Sequence, residues 1–150
     1  MDEVDLKIVG ILTADAKRSL ADIGGSVGLS ASSVNERVRR LTASGAIRRF
    51  TVDIDPVAVG LPTLAFVWVA LRDDADEAAF CDYVLAHSLI LECHHVTGAW
   101  SYLIIIRVAD TPSIEGFLAD LKSHRFLGRS ETIISLSSPV PGAFVQKAST

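Results

Sequence analysis

Residues Thr63–Leu71 read T-L-A-F-V-W-V-A-L, without a charge or a turn former, and run straight into Arg72-Asp73-Asp74. On a strand, successive side chains point to opposite faces. Leu64, Phe66, Trp68 and Ala70 therefore share one face, and Ala65, Val67, Val69 and Leu71 the other. Both faces are apolar, so whatever sheet holds this strand needs cover on both sides. The segments that follow show what cover is at hand. Ala75–Ala86 has Asp76 and Glu77 early, where a helix dipole favours anions, with Phe80, Tyr83 and Val84 on its inner side. Leu89–Thr97 and Trp100–Val108 read as strands joined through Gly98-Ala99. Thr111-Pro112 opens a helix whose Ile114, Phe117, Leu118 and Leu121 recur at helical spacing, and Lys122, His124 and Arg125 suit its C-terminal end. Gly128 leads to a last strand, Ser130–Ser138. The order is β-α-β-β-α-β, a ferredoxin-like unit. Its two helices cover only one face of the sheet. The other face is expected to pack against a second copy, sheet to sheet, in a dimeric α+β barrel.

The front of the chain has a different period. Asp2, Glu3 and Asp5 precede the stripe Val4, Ile8, Ile11 and Leu12. Ser19, with Asp22 three residues on, opens a second helix, of which Leu20, Ile23 and Val27 are expected to face inward. Gly24 and Gly25 are poor helix formers and point to close packing. Ser30 caps a third helix with Val34, Val38 and Leu41 inside, and Gly45 ends it. Ile47–Val52 alternates like a strand. Three helices with a tight turn at Gly28 and a basic β-hairpin predict a winged helix-turn-helix, making the whole chain α+β.

At about 100° per residue, Ser32, Glu36 and Arg39 point away from the buried stripe of the third helix, flanked by Ser33, Asn35 and Arg40. Hydroxyls, an amide, an acid and arginines are what a major-groove reader needs, since Arg pairs with guanine, Asn with adenine and Glu with cytosine. A merely solvated helix face is the plain alternative, as is a three-helix scaffold that docks a protein. Charge favours the duplex. Gly28–Phe50 holds Arg37, Arg39, Arg40, Arg48 and Arg49 against Glu36 alone, in a chain of 150 residues whose formal net charge is −4. Residues 1–55 hold equal numbers of acids and bases, whereas residues 56–150 are acidic. Double-stranded DNA is the expected partner, with Ser32, Ser33, Asn35, Glu36 and Arg39 on bases. Ser19, Arg37, Arg40, Arg48 and Arg49 meet phosphates or brace the helix.

The acidic opening M-D-E-V-D is no signal peptide, and Leu103–Ile106 is far too short to span a bilayer, so a cytoplasmic protein is expected. Cys81 and Cys93 match no C-x-x-C pattern and read as reduced thiols, with a disulfide as the minor alternative. The division expected is a DNA-binding domain at 1–54, a hinge at 55–62 around Pro56, Gly60 and Pro62, a βαββαβ domain at 63–140 and a tail at 141–150.

The run from Leu29 to Ile47, L-S-x-S-x-V-x-x-R-V-x-R-L-x-x-x-G-x-I, resembles the Lrp/AsnC (feast/famine) transcription regulators. So do D-x-x-D-x-x-I-x-x-x-L across Asp2–Leu12, the D-P-x-x-x-G of Asp55–Gly60, and the V-T-G-x-x-x-Y of Val96–Tyr102. The resemblance implies a sequence-specific DNA-binding regulator that dimerises, assembles further into tetramers or octamers, and answers to a small effector such as an amino acid. It places that effector between subunits near the turn after the second strand, here Thr97, Gly98, Ala99, Trp100, Ser101 and Tyr102, with Thr132 nearby. Ala99 and Ser101 stand where relatives often carry acids, which leaves backbone carbonyls and hydroxyls as polar partners and Trp100 as an apolar wall.

The rival on the same fold is a tetrapyrrole (siroheme) decarboxylase-like enzyme, which Ile47–Phe50 resembles. Thr51–Pro56 lacks the His-Arg pair that group carries after the wing. A stand-alone effector-binding protein is disfavoured by the retained arginines. His94 and His95 point to opposite faces of a strand and do not readily share a metal, and no phosphate loop or nucleophile motif is present. No enzyme activity, cofactor or metal is expected.

Overall fold

The computed structural model describes residues 1–145, in two compact units that divide between Val52 and Asp53. The first unit has three helices, α1 (Glu3–Ala14), α2 (Leu20–Val27) and α3 (Ala31–Ala43). Each starts on the cap its sequence offers. Asp2 and Asp5 at α1 exchange side chain for backbone, with Asp5 N donating to Asp2 Oδ1 at 2.8 Å and Asp2 N to Asp5 Oδ2 at 3.1 Å. Ser19 accepts from Asp22 N at α2, and Ser30 from Ser33 N at α3. Ile8, Ile23 and Val34, one from each helix, are wholly buried together, with Val4, Ile11, Leu12, Val27, Leu29 and Val38 packed around them. Leu20 departs from expectation. It is the first residue of α2, before the turn that meets the core, and it stays exposed.

Gly28 ends α2 in the left-handed region, at φ 72°. The turn then folds back so tightly that a Cβ on Gly24 would lie 2.4 Å from the Leu29 carbonyl oxygen. That contact accounts for a glycine inside a helix at this position. Gly25 has open space around it, and nothing in the structure explains it.

The strand expected over Ile47–Val52 is absent, and that segment has no regular structure. A strand needs a neighbour to bond, and no second arm pairs with it among the described residues.

The second unit runs from a turn at Pro56–Gly60, closed by Leu61 N donating to Pro56 O, into β1 (Thr63–Leu71), α4 (Glu77–Ala86), β2 (Ile90–His95), β3 (Tyr102–Val108), α5 (Thr111–Ser123) and β4 (Leu127–Ile134). The sheet is antiparallel in the order β2-β3-β1-β4, the ferredoxin-like arrangement. Ala65, Val67 and Val69 are fully buried with Ile104, Ile106, Phe80 and Phe117 under the two helices. On the opposite face, Leu64, Phe66, Trp68, Leu103 and Ile105 are only half-buried, and Ile133 beside them is 47% exposed.

β4 begins and ends earlier than the expected Ser130–Ser138. Its extent follows its partner, from Leu71↔Leu127 to Ala65↔Ile134, and Leu136 beyond it is fully exposed. The C-terminal segment returns to the start of the unit, where the buried Phe144 donates from its backbone N to Asp53 Oδ1 at 2.7 Å. The tail expected over 141–150 reaches residues 146–150, which lie outside the described residues.

Candidate functional site

α3 presents two unlike surfaces because its apolar residues recur at helical spacing. Val34 and Leu41 are buried, while Ser32, Ser33, Asn35, Glu36, Arg39 and Arg40 are exposed on the outer side. Arg48 and Arg49 are exposed too and form no ion pair among the described residues. Ser32 and Ser33 gather at the helix start, each with its Oγ about 3 Å from Ser30 Oγ. Ser19 is exposed at the start of α2, where its hydroxyl donates to Asp22 Oδ2 at 2.7 Å.

The arginines of α3 have distinct partners. Arg37 Nη1 sits 2.7 Å from both Asp2 Oδ2 and Asp5 Oδ1, and its side chain is only 25% exposed. Arg40 reaches the same Asp5 at 3.2 Å, but 61% of its side chain remains exposed. Arg39 meets Glu36 at 3.2 Å with both side chains open to solvent. Asp5 is 2% exposed, and the two guanidinium groups balance its charge. Hydrogen bonding to Arg37, then to each other's backbone, holds the Asp2 and Asp5 carboxyls below the usual carboxylate range, and the same carboxylates raise Arg37. Arg37 therefore braces α3 against α1 and is not free to reach outward. The acid pair that holds it was visible in the sequence only as helix-start residues.

In the second unit the residues expected to meet an effector are parted. Gly98 adopts φ 103°, which a side chain would oppose. Ser101 is tied to β1, donating from its backbone N to Val69 O at 2.7 Å and accepting at Oγ from Leu71 N at 3.1 Å. β3 starts at Tyr102 rather than Trp100, so the strand's alternation does not carry back to Trp100. Trp100 packs beside Trp68, with ring centres 6.5 Å apart, whereas Tyr102 is buried on the helix-covered face and donates to Glu77 Oε1. Thr132 pairs with Val67 on that same covered face. Thr97, Gly98 and Ala99 are exposed, and Tyr102 and Thr132 stand apart from them.

Sequence reading missed Arg129. Its guanidinium lies 4.2 Å from the Trp100 ring centre and donates through Nη2 to Ala99 O at 2.8 Å. Only the pairing Ala70↔Arg129, unknown before the register is fixed, brings it to this turn. Glu92 and His94 share the open face and are 2.9 Å apart, while His95 stacks on Tyr102 on the other side. Among the described residues, no helix is long and apolar enough to cross a membrane.

The family models agree with this division. Residues 1–42 match the AsnC-type helix-turn-helix domain and residues 64–143 the Lrp/AsnC ligand binding domain. The HTH-type transcriptional regulator FL11 of Pyrococcus horikoshii is 32% identical over 138 residues, 92% of this chain and 91% of its own. Bacillus subtilis LrpC superposes with a TM-score of 0.81 at 28% identity, over 92% of this chain and 96% of its own. A Neisseria meningitidis transcriptional regulator solved as an L-Met complex gives 0.86 at 25% identity, over 98% and 96%. With a helix-turn-helix ahead of a four-stranded antiparallel sheet and its helices, and both family models matched in order, the chain belongs to the Lrp/AsnC family of DNA-binding transcriptional regulators.

Proposed function

We propose that this regulator reads its operator with the outer face of α3, Ser32, Ser33, Asn35, Glu36 and Arg39 meeting base edges. Arg40, Arg48, Arg49 and Ser19 grip phosphates, and Arg37 acts from behind as a brace. The observation that carries this reading is the exposure of those side chains on a helix whose opposite face is pinned to α1 through Asp5. A reading helix gains specificity by arriving already oriented. The DNA-binding domain is taken to span 1–54, the hinge 55–62 and the effector domain 63–140.

We assign dimerisation to the open sheet face. Leu64, Phe66, Trp68, Leu103, Ile105 and Ile133 form a contiguous apolar band there that the two helices do not cover. A two-fold dimer supplies two reading helices for a palindromic site, and further assembly to tetramers or octamers would multiply them. The protein acts by binding rather than turnover, and in the cytoplasm.

For the effector, Arg129 supports a carboxylate-bearing ligand, and Trp100 with Ala99 supports an apolar side chain; an apolar amino acid combines both. A relative solved with L-Met is consistent with that class. Footprinting across genomic DNA with and without L-Met and L-Leu tests the whole reading. Discrete protected sites whose pattern shifts with the amino acid are expected. Calorimetric titration of the parent should show uptake of L-Met or L-Leu in preference to L-Asp, and Arg129→Ala should abolish it. Equal uptake by that variant would remove Arg129 from the site.

A further inference from the structure

A cavity of about 400 Å³ opens between α4 and the edge strand β2, away from both regions above. Phe80, Val84 and Leu85 of α4 and Ile90 and Leu91 of β2 give it mostly apolar walls. Two thiols line it, Cys81 on α4 and Cys93 on β2, and neither is in a disulfide. Tyr102 lines the same cavity, with its hydroxyl 3.9 Å from Cys81 Sγ. The pairing of His95 with Tyr102 and of Cys93 with Ile104 puts Cys93 on the face Tyr102 occupies, one diagonal step away. Cys81 is exposed at the mouth and Cys93 half-buried within. Burial, with the Cys81 charge adding to it, pushes the Cys93 thiol up to about 11, so it stays protonated near neutral pH.

We propose that Cys81 and Cys93 form a dithiol site for a neutral trivalent arsenic compound carrying one apolar group. A zinc-type cation suits the place poorly, because it wants thiolates and typically about four donors. Among the described residues, no three His, Cys, Asp or Glu side chains are grouped to hold a metal. An arsenic(III) dihydroxide needs no thiolate and only two partners. Each As–S bond forms as an As–OH bond breaks, the thiol proton leaves with that hydroxyl as water, and arsenic stays trivalent. The remaining organic group packs against Phe80, Val84 and Leu85. The space is ample, since an apolar cavity of roughly 150 Å³ already takes up benzene.

The test uses the full chain and phenylarsine oxide, which hydrates to such a dihydroxide. One equivalent per chain should bind and remove both thiols from reaction with a thiol dye. The complex should survive excess glutathione and yield to 2,3-dimercaptopropanol. Closing the second As–S bond is intramolecular, so Cys81→Ser and Cys93→Ser should each lose at least roughly 100-fold in affinity and release the reagent to glutathione. Cys81 is exposed, so its serine variant keeps the fold, and an unchanged melting temperature checks this. Retention by Cys81→Ser equal to the parent's, or release from the parent by glutathione alone, would overturn the proposal. The site does not depend on the DNA-reading roles, and failure here would leave them untouched.

Discussion

Arg37, Arg39 and Arg40 lie within one turn of α3, yet their surroundings give them three tasks. Arg37 is held by two carboxylates and largely covered, Arg40 shares Asp5 while keeping most of its surface in solvent, and Arg39 is open apart from Glu36. An exposed pair such as Arg39–Glu36 is worth little by itself, so it poses little obstacle to the base contact proposed for Arg39. Arg39→Ala should cost on the order of 1–3 kcal/mol on the preferred duplex and relax the preference at one base position, as competition binding with single-base variants would show. Arg48 is exposed and is assigned to a phosphate. Arg48→Ala should weaken every duplex alike and lower the slope of log affinity against log salt by about 0.9. A slope equal to the parent's would take Arg48 off the backbone.

Among the elements, α3 was the most legible in sequence, because its cap at Ser30, its apolar spacing and its closing Gly45 all agree. The β-α-β-β-α-β order was legible for the same reason, since each segment changed period at a turn former. What sequence could not show was pairing. The wing was read from alternation at Ile47–Val52, but alternation does not supply the second strand that would bond it. The third strand of the sheet was expected from Trp100, but β3 starts at Tyr102, so Trp100 and Tyr102, both expected near the effector, face different surroundings. Arg129 and the Asp2–Asp5 clasp are long-range contacts that local spacing does not encode. The clasp carries a pH dependence whose sign is fixed. The Asp2 and Asp5 carboxyls are lowered in the folded chain, chiefly by Arg37, so their contribution is complete above the ordinary carboxylate value. It fades as pH falls through the depressed one. Asp5→Asn should therefore melt below the parent near neutral pH, and the gap should narrow as the pH falls below the ordinary carboxylate range and the parent's own carboxyls protonate. A gap that stays constant with pH would mean the charge at Asp5 is not what ties α3 to α1.

At the scale of the whole molecule, the sheet that fixes the second unit also leaves one apolar side uncovered, and the dimer is the proposed answer. Placing a charge in the middle of that band, as in Trp68→Glu, should yield monomer or aggregate by light scattering, whereas a folded dimer would count against the sheet as the interface. Loss of the dimer should also weaken operator binding far more than any single phosphate contact, because the two reading helices then no longer bind as one ligand. The central proposal for this regulator is the outer face of α3, where Arg39 and Arg40 keep most of their side chains in solvent. Fluorescence anisotropy of the purified protein on a duplex enriched from a random pool, compared with a scrambled duplex of equal length across a salt series, tests it most directly. The account predicts tight binding to the enriched duplex, weaker binding to the scrambled one, and collapse of that difference in Arg39→Ala. Equal affinity of the parent for both duplexes, or no binding even in dilute buffer, would contradict it.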